Sequence, residues 1–412
     1  MIWNKSKILL LLISTIWLIS FGATKNKDEK HEEQLEILKN DSSFQILIDG
    51  YCEAKSLKIS TEKELTRIKN QINQNNELNA KSIAEQEKNR KYKNGILGKP
   101  KTDSTLMAND SLKQAYITKS LLDIAKCDTN IKNLEQSISL RNKQNIDSGK
   151  AIDIIQNELA KRKISFESVL KKVKAYASKI QGGLNFKLCD ITYNIFVANL
   201  DSNEIRMHLF KNEKQNFYSL GSVREYLESK KIEPLMITNA GMFTPSHEPE
   251  GLYIEYGSKT QFELDTTKRN TNENFFLSPN GVFFIDTNDI AYVKTTEDFI
   301  GIKKEGKIKV KLATQSGPML LINGNIHPKF TQGSTNEKIR SGVGKINDNK
   351  VIFAITINES NFYEFAMFFK EIFGCKDALF LDGAISKMYL KDVSAQILGG
   401  NFGAIISVSK KH

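Results

Sequence analysis

Asp382 and Gly383 close the apolar run Asp377-Ala-Leu-Phe-Leu-Asp382, and Ser386 follows three residues later. A carboxylate at the mouth of a buried strand can attack an electrophilic carbon or activate water, and a glycine beside it lets a ligand approach the backbone. Asp-Gly is also a common turn dipeptide, so a turn and a catalytic carboxylate are both open at this point. The same arrangement recurs elsewhere in the chain. Met236-Ile-Thr238 runs into Asn239-Ala-Gly241, and Lys311-Leu-Ala-Thr314 into Gln315-Ser316-Gly317. Arg340-Ser-Gly342 precedes another apolar stretch, and Ile357 leads into Asn358-Glu359. If these strands share a sheet, their ends converge on one rim. One arginine, one aspartate and several amides and hydroxyls would suit a sugar bearing an anionic substituent. Each residue also has a local reading: Asn239 as a structural residue, Arg340 as a surface ion pair with Glu337, Ser386 as a helix cap. His247, between Ser246 and Glu248 and near Glu250, reads as solvent-exposed.

The elements that must position these groups lie after Gln181-Gly182-Gly183, in a half holding six of the seven prolines and most of the phenylalanines. Ile191 to Leu200 reads as a strand, and Ser222 with Glu225 as a capping box opening a helix over 222–231. Leu235 to Thr238 is a further strand. Gly251 to Tyr256 reads as a strand turning at Gly257-Ser258, and Val282 to Ile285 as one turning through 286–289. Pro318 to Ile322 turns at Asn323-Gly324, a strong hairpin signal. Val351 to Ile357 is a strand. Asn361 and Glu364 then cap a helix with Phe362, Phe365, Phe369 and Ile372 on its apolar face, stopped by Gly374. Hairpins with intervening helices predict an α+β domain with a mixed, largely antiparallel twisted sheet. Neither a G-x-G-x-x-G motif nor a P-loop is present.

The first half has another texture. Lys5 and Lys7 precede an apolar run from Ile8 to Phe21, with Gly22 and Ala23 after it, which predicts a signal peptide over 1–23; an uncleaved membrane anchor is the alternative. From about 25 to 180 the chain is rich in Lys, Glu, Asn and Gln. Leu65, Ile68 and Ile72 recur at helical spacing, as do Ile124, Ile131, Leu134 and Ile138, then Ile152, Ile155 and Leu159. Long helices in an antiparallel hairpin or coiled coil are expected, with a loop at 94–100. The 412 residues carry a net charge of +11. Basic clusters at 88–93, 161–163 and 171–174 are solvated helix faces or contacts to an anionic envelope surface. Export argues against a nucleic-acid partner, and helix-mediated self-association is a further expectation. Four cysteines without C-x-x-C spacing support no zinc site. The division into a helical half and a mixed half suggests Cys52 with Cys127 and Cys189 with Cys375. No cofactor is expected, and metal dependence is left open.

Taken in order, Thr238-Asn-Ala-Gly-Met-Phe243, Pro249-Glu-Gly-Leu252, Asn280-Gly-Val-Phe-Phe284, Ala313-Thr-Gln-Ser-Gly-Pro-Met319, Ile339-Arg-Ser-Gly-Val-Gly344 and Leu381-Asp-Gly-Ala-Ile-Ser386 resemble the phosphodiester glycosidase family. The likeness covers 186–412 and is greatest to a bacterial branch long of unknown function. The family includes the lysosomal uncovering enzyme, which removes N-acetylglucosamine from a phosphodiester. Many members have Gly-Gly-Phe-Phe where this chain has Ala240-Gly241-Met242-Phe243, and two further glycines where it has Ala384 and Ile385. The acyl-amino-sugar preference is therefore not carried over. The resemblance implies Asp382, Arg340 and Asn239 as catalytic residues. Gly241, Ser316, Gly317, Gly383, Ser386 and Glu250 would contact substrate, with no metal assigned. It implies an exported hydrolase, secreted or periplasmic, that cleaves the glycosidic bond of a sugar-1-phosphodiester in a glycan or envelope polymer. The alternative is a non-catalytic carbohydrate- or anion-binding module on a helical stalk.

Overall fold

Helical spacing in the first half becomes two long helices, α1 (Ser42–Leu97) and α2 (Asp110–Ala177), in a computed structural model that describes residues 42–98, 110–212, 215–255, 261–267, 273–393 and 397–411. The expected signal peptide over 1–23 lies outside the described residues, as do most of the expected loop after Leu97 and the turn at Gly257-Ser258. Helix α1 continues through the expected break at Asn94. Among the described residues no helix is long and apolar enough to cross a membrane.

The chain divides into two units: Glu53–Val169, and a second that joins the segment ending at Cys52 to the chain from Leu170 onward. In the first unit, partners on α1 rise in number as those on α2 fall, so the helices run antiparallel. Arg162 Nη1 donates to Thr61 Oγ1 (2.7 Å), Asn75 Nδ2 to Asn145 Oδ1 (2.9 Å) and Asn79 Nδ2 to Asn142 Oδ1 (2.8 Å). The expected apolar seam is thus interrupted midway by buried asparagines. Arg141 extends this polar layer, donating to Asn79 Oδ1 and Ser82 Oγ. Such a layer fixes register, because a slip would bury the amides without partners. Part of the basic cluster at 88–93 is paired within the hairpin: Arg90 with Glu135 and Lys93 with Asp128.

The second unit carries four sheets, and every strand pair among the described residues is antiparallel. The seven-stranded sheet contains β1 (Gly182–Leu188), β2 (Ile191–Asn199), β11 (Met319–Ile322), β12 (Asn325–Ile326), β13 (Ser341–Lys345), β14 (Lys350–Thr356) and β15 (Asp377–Asp382), in the order β1-β2-β14-β13-β15-β11-β12. One four-stranded sheet is formed by β3 (Asn203–His208), β6 (Pro234–Asn239), β16 (Met388–Leu390) and β17 (Ile405–Lys410). The other is formed by β7 (Tyr253–Ile254), β8 (Gly281–Asp286), β9 (Ala291–Thr295) and β10 (Val310–Ser316). A small ribbon joins β4 (Phe210–Asn212) to β5 (Gln215–Asn216). Apolar residues from the three large sheets share one core that includes Phe196, Met236, Phe283, Leu312, Val343, Leu379 and Leu381.

Among the described residues three helices flank this core: α3 (Leu220–Ser229), α4 (Thr296–Glu305) and α5 (Phe362–Met367), the last continued by a π-helical turn over Phe368–Ile372. Helix α3 starts earlier than its capping box predicts. Its cap is Ser219, whose Oγ accepts from the Ser222 amide, because Leu220 and Val223 must enter the apolar cluster beneath β6 and β17. Asn361 caps α5 by accepting from the Glu364 amide, and Gly374 follows in the left-handed region, both as the sequence predicts.

The cysteine expectation is overturned. Cys52 pairs with Cys189 at a Cα separation of 5.4 Å, while Cys127 and Cys375 are free and buried. The first turns of α1 pack against β1, which brings Cys52 to the two-residue turn at Cys189. Phe44 contacts Phe186 and Tyr176 there, and Gln45 bonds both the amide and the carbonyl of Lys187. Pairing by halves of the sequence fails because this piece of helix belongs to the second unit.

Candidate active site

Strand ends from all three large sheets meet, and each delivers a polar residue. Asn239 ends β6, Ser316 ends β10, Asp382 ends β15 and Ser341 begins β13. Asp382 pairs with Ser341, while the next residue, Gly342, pairs with Phe380. Leu381 therefore has no partner on β13, and Ser316 Oγ donates to its carbonyl at 2.7 Å. This bulge ties the seven-stranded sheet to the end of β10.

Hydroxyls and one amide knit the remaining ends together. Asn239 Nδ2 donates to Ser386 Oγ (3.2 Å), and Ser386 Oγ bonds Ser341 Oγ (2.8 Å). Ser341 Oγ accepts from the Asp382 amide and donates to the Asp382 carbonyl, both at 3.2 Å. Asn239 Oδ1 accepts from the Lys387 amide at 3.1 Å. Asn239, Ser316 and Ser341 are all buried. One consistent direction of donation runs Asn239 to Ser386 to Ser341 to Asp382, so each hydroxyl is satisfied. The network holds the backbone of Asp382 and leaves its carboxylate to other work.

The carboxylate of Asp382 accepts from the Gly383 amide at 2.6 Å, and among the described residues it forms no ion pair. Burial pushes its pKa up to about 6, against the opposing effect of that hydrogen bond. A carboxylate poised there can be ionised near neutral pH while remaining a stronger nucleophile or base than an ordinary aspartate.

The glycines divide by what surrounds them. A Cβ on Gly241 would collide with the Gln315 carbonyl oxygen and meet Thr314 Oγ1 at 2.8 Å. On Gly317, which is joined to Pro318 by a cis peptide bond, a Cβ would lie 2.7 Å from Asn280 Cβ. Packing alone requires both. Around Gly383 the nearest atoms to an added Cβ are 3.7 Å away, so its smallness is not needed by the fold. Glu250 sits at the base of a hairpin loop, its amide bonded to the Met242 carbonyl at 3.0 Å, close in the chain to Gly241.

Arg340 stands apart from this network. Its Nε donates to the Ser360 carbonyl (2.9 Å) and its Nη2 to the Asn336 carbonyl (2.8 Å). The guanidinium lies 3.6 Å from the Phe362 ring centroid, in a column continued by Phe330 and His327. It is buried without a carboxylate partner among the described residues, and burial lowers its pKa to about 10. The surface pair with Glu337 does not form. Asn358 is also structural, since its side chain bonds the Thr192 amide and the Asp190 carbonyl. His247 is half-buried in a left-handed conformation (φ 64°) and stacks on Phe243, unlike the exposed residue expected.

Sequence reasoning missed Ser341 and Gln315. Ser341 hides as a single polar residue beginning an apolar strand, and only its cross-strand register reveals it. Gln315 is buried, accepting from the Leu252 and Asp265 amides and donating to the Asp265 carbonyl. Among the described residues no group of three or more His, Cys, Asp or Glu side chains is placed to hold a metal ion.

A family model described as "Phosphodiester glycosidase" matches residues 233–403, which contain every strand end described above. A protein of Escherichia coli (strain K12) described as "Uncharacterized protein YigE" is 30% identical over 221 residues, which are 54% of this chain and 83% of that protein. The chain belongs to the phosphodiester glycosidase family.

Proposed function

We propose that the protein is an exported hydrolase that cleaves the glycosidic bond of a sugar-1-phosphodiester, with Asp382 as the reacting carboxylate. One observation carries this reading: an isolated carboxylate with a pKa raised to about 6 stands where three sheets meet, on a backbone fixed by Asn239, Ser386 and Ser341. In the reaction the bond from the anomeric carbon to the phosphate oxygen breaks, and water supplies hydroxyl to the sugar and a proton to the products. The leaving phosphate monoester is already a stable anion, so little protonation is needed and one carboxylate suffices. Asp382 attacks the anomeric carbon or takes the proton of the attacking water.

Arg340 contributes by setting the chain just before Ser341 and by lending positive potential from a buried, carboxylate-free guanidinium. Asn239 acts as a positioning residue. Gly383, where an added Cβ would meet only ordinary contacts at 3.7 Å, is the place for substrate to approach the backbone. Export is supported by the basic and apolar start of the chain and by the Cys52–Cys189 disulfide, a bond typical of oxidising compartments. The helical hairpin contributes none of the residues assigned here. Its exposed basic residues fit contact with an anionic envelope surface.

The test is incubation of the purified protein with a panel of glycosyl phosphodiesters, following reducing sugar and phosphate monoester together. Equimolar release of both from at least one diester is expected. Release of free alcohol with sugar 1-phosphate instead would mean that a phosphoester bond is cut and the reading is wrong.

A further inference from the structure

Beside Asn239 lies an aromatic cluster that the chemistry above does not use. Phe243 and His247 stack at 5.6 Å with an interplanar angle of 18°, and the Tyr218 ring meets His247 edge-on at 5.0 Å. Phe243 roots the cluster by packing on the apolar group that includes Phe217 and Leu220, while Tyr218 is 37% exposed. Both outer residues are held in left-handed backbone, Tyr218 at φ 60° and His247 at φ 64°. That conformation is uncommon for side chains of this size and clusters at ligand sites.

The surrounding backbone fixes both residues. The Phe402 amide donates to the Tyr218 carbonyl at 2.7 Å, and the Ser219 amide donates to Phe217. His247 lies in a short hairpin loop closed by pairing of Phe243 with Pro249, with its own amide donating to the Thr244 carbonyl. Gly403 is wedged against Phe243 and the His247 carbonyl, at 2.7 and 3.0 Å from an added Cβ. The next residue, Ala404, accepts from the Ala240 amide, directly after Asn239. The cluster is therefore a rigid continuation of the strand end carrying Asn239. Exposed Ser246 and Glu248 form a polar margin beside the rings.

We propose that the exposed Tyr218 ring, braced by His247 with Phe243 behind it, forms a sugar-binding shelf, a subsite that stacks a pyranose ring neighbouring the sugar that is released. Pyranose rings present a face of C–H bonds ringed by hydroxyls, which matches an aromatic surface with polar side chains at its edge. The inference rests on the proposed function for which ring is cleaved, but the shelf has its own binding readout.

Tyr218→Asn and His247→Asn remove the rings with a residue that tolerates left-handed backbone, so folding is preserved, and Tyr218→Phe keeps the stack. Three probes are compared: a glycosyl phosphodiester with a methyl group beyond the phosphate, one with a hexose there, and one extended by a hexose on the other side of the cleaved sugar. Loss of one stacking partner should reduce selectivity for one extended probe over the methyl diester by about tenfold through KM, with Tyr218→Phe restoring it. Which extended probe responds tells on which side the shelf lies. NMR titration of the same probes should perturb the His247 ring in the parent protein and not in Tyr218→Asn. If hydrolysis is absent but ring-dependent binding persists, the proposed reaction fails and the shelf stands. Unchanged selectivity and binding in both asparagine variants would overturn the shelf.

Discussion

Asp382 has a pKa raised to about 6 by burial, and two consequences follow at the residue scale. If it works as a carboxylate, kcat/KM rises with pH through about 6 and is flat above. The folded pKa lies above the ordinary aspartate value, so the protonated form is the one that favours folding. That stability is fully present below about pH 4 and is lost as pH rises through 6. Asp382→Asn should therefore be inactive yet more stable than the parent at pH 8, by about 3 kcal/mol, with the gain vanishing near pH 4. Paired thermal melts at the two pH values would check it. The glycines make a second contrast. Gly241→Ala should cost about 2–3 kcal/mol because the new methyl meets the carbonyl oxygen of Gln315, while Gly383→Ala should leave the melting temperature nearly unchanged. Activity lost in a fully folded Gly383→Ala protein would then report substrate at that backbone. Asp382, Asn239 and Ser316 are legible in the sequence because each ends an apolar run, and Ser386 through the family resemblance. The surroundings of Arg340 are not, since the Ser360 carbonyl and the Phe362 ring come from a segment that only the fold brings close.

At the scale of elements, the site depends on the join between β15, β13 and β10, where the bulge at Leu381 is taken up by Ser316 and the end of β15 by Ser341. Ser341→Ala removes the side chain that bonds both polar groups of the Asp382 backbone and leaves Ser386 short of a partner. A loss of about 1–2 kcal/mol in stability is expected in chemical denaturation, with kcat falling more than KM rises. Most strands were legible from alternation and turn signals. The Asn323-Gly324 hairpin forms with both residues at positive φ, and the helix cap at Asn361 forms as its sequence predicts. What eluded sequence reading was non-local: the division of the strands among separate sheets, and the choice of Ser219 over Ser222 as a cap, which burial of Leu220 decides.

At the scale of the whole molecule, the start of α1 is fastened to the sheet unit by the Cys52–Cys189 disulfide, with Cys127 and Cys375 left as buried thiols. A non-reducing peptide map should show that single pair, and reduction should lower stability by about 2–4 kcal/mol. The polar seam of the hairpin is invisible to apolar periodicity, because Asn75 and Asn79 are buried by pairing with asparagines on α2. All the assigned site residues belong to the sheet unit, so the decisive measurement is made on one carboxylate in the intact chain. Parent protein and Asp382→Asn, both verified as folded, are compared at pH 7.5 for release of reducing sugar and phosphate monoester from a sugar-1-phosphodiester. The parent should turn over the diester and the variant should lose at least about a thousandfold in kcat, the scale expected when a group that reacts directly with substrate is removed. Turnover by Asp382→Asn within a few-fold of the parent would contradict the assignment of Asp382.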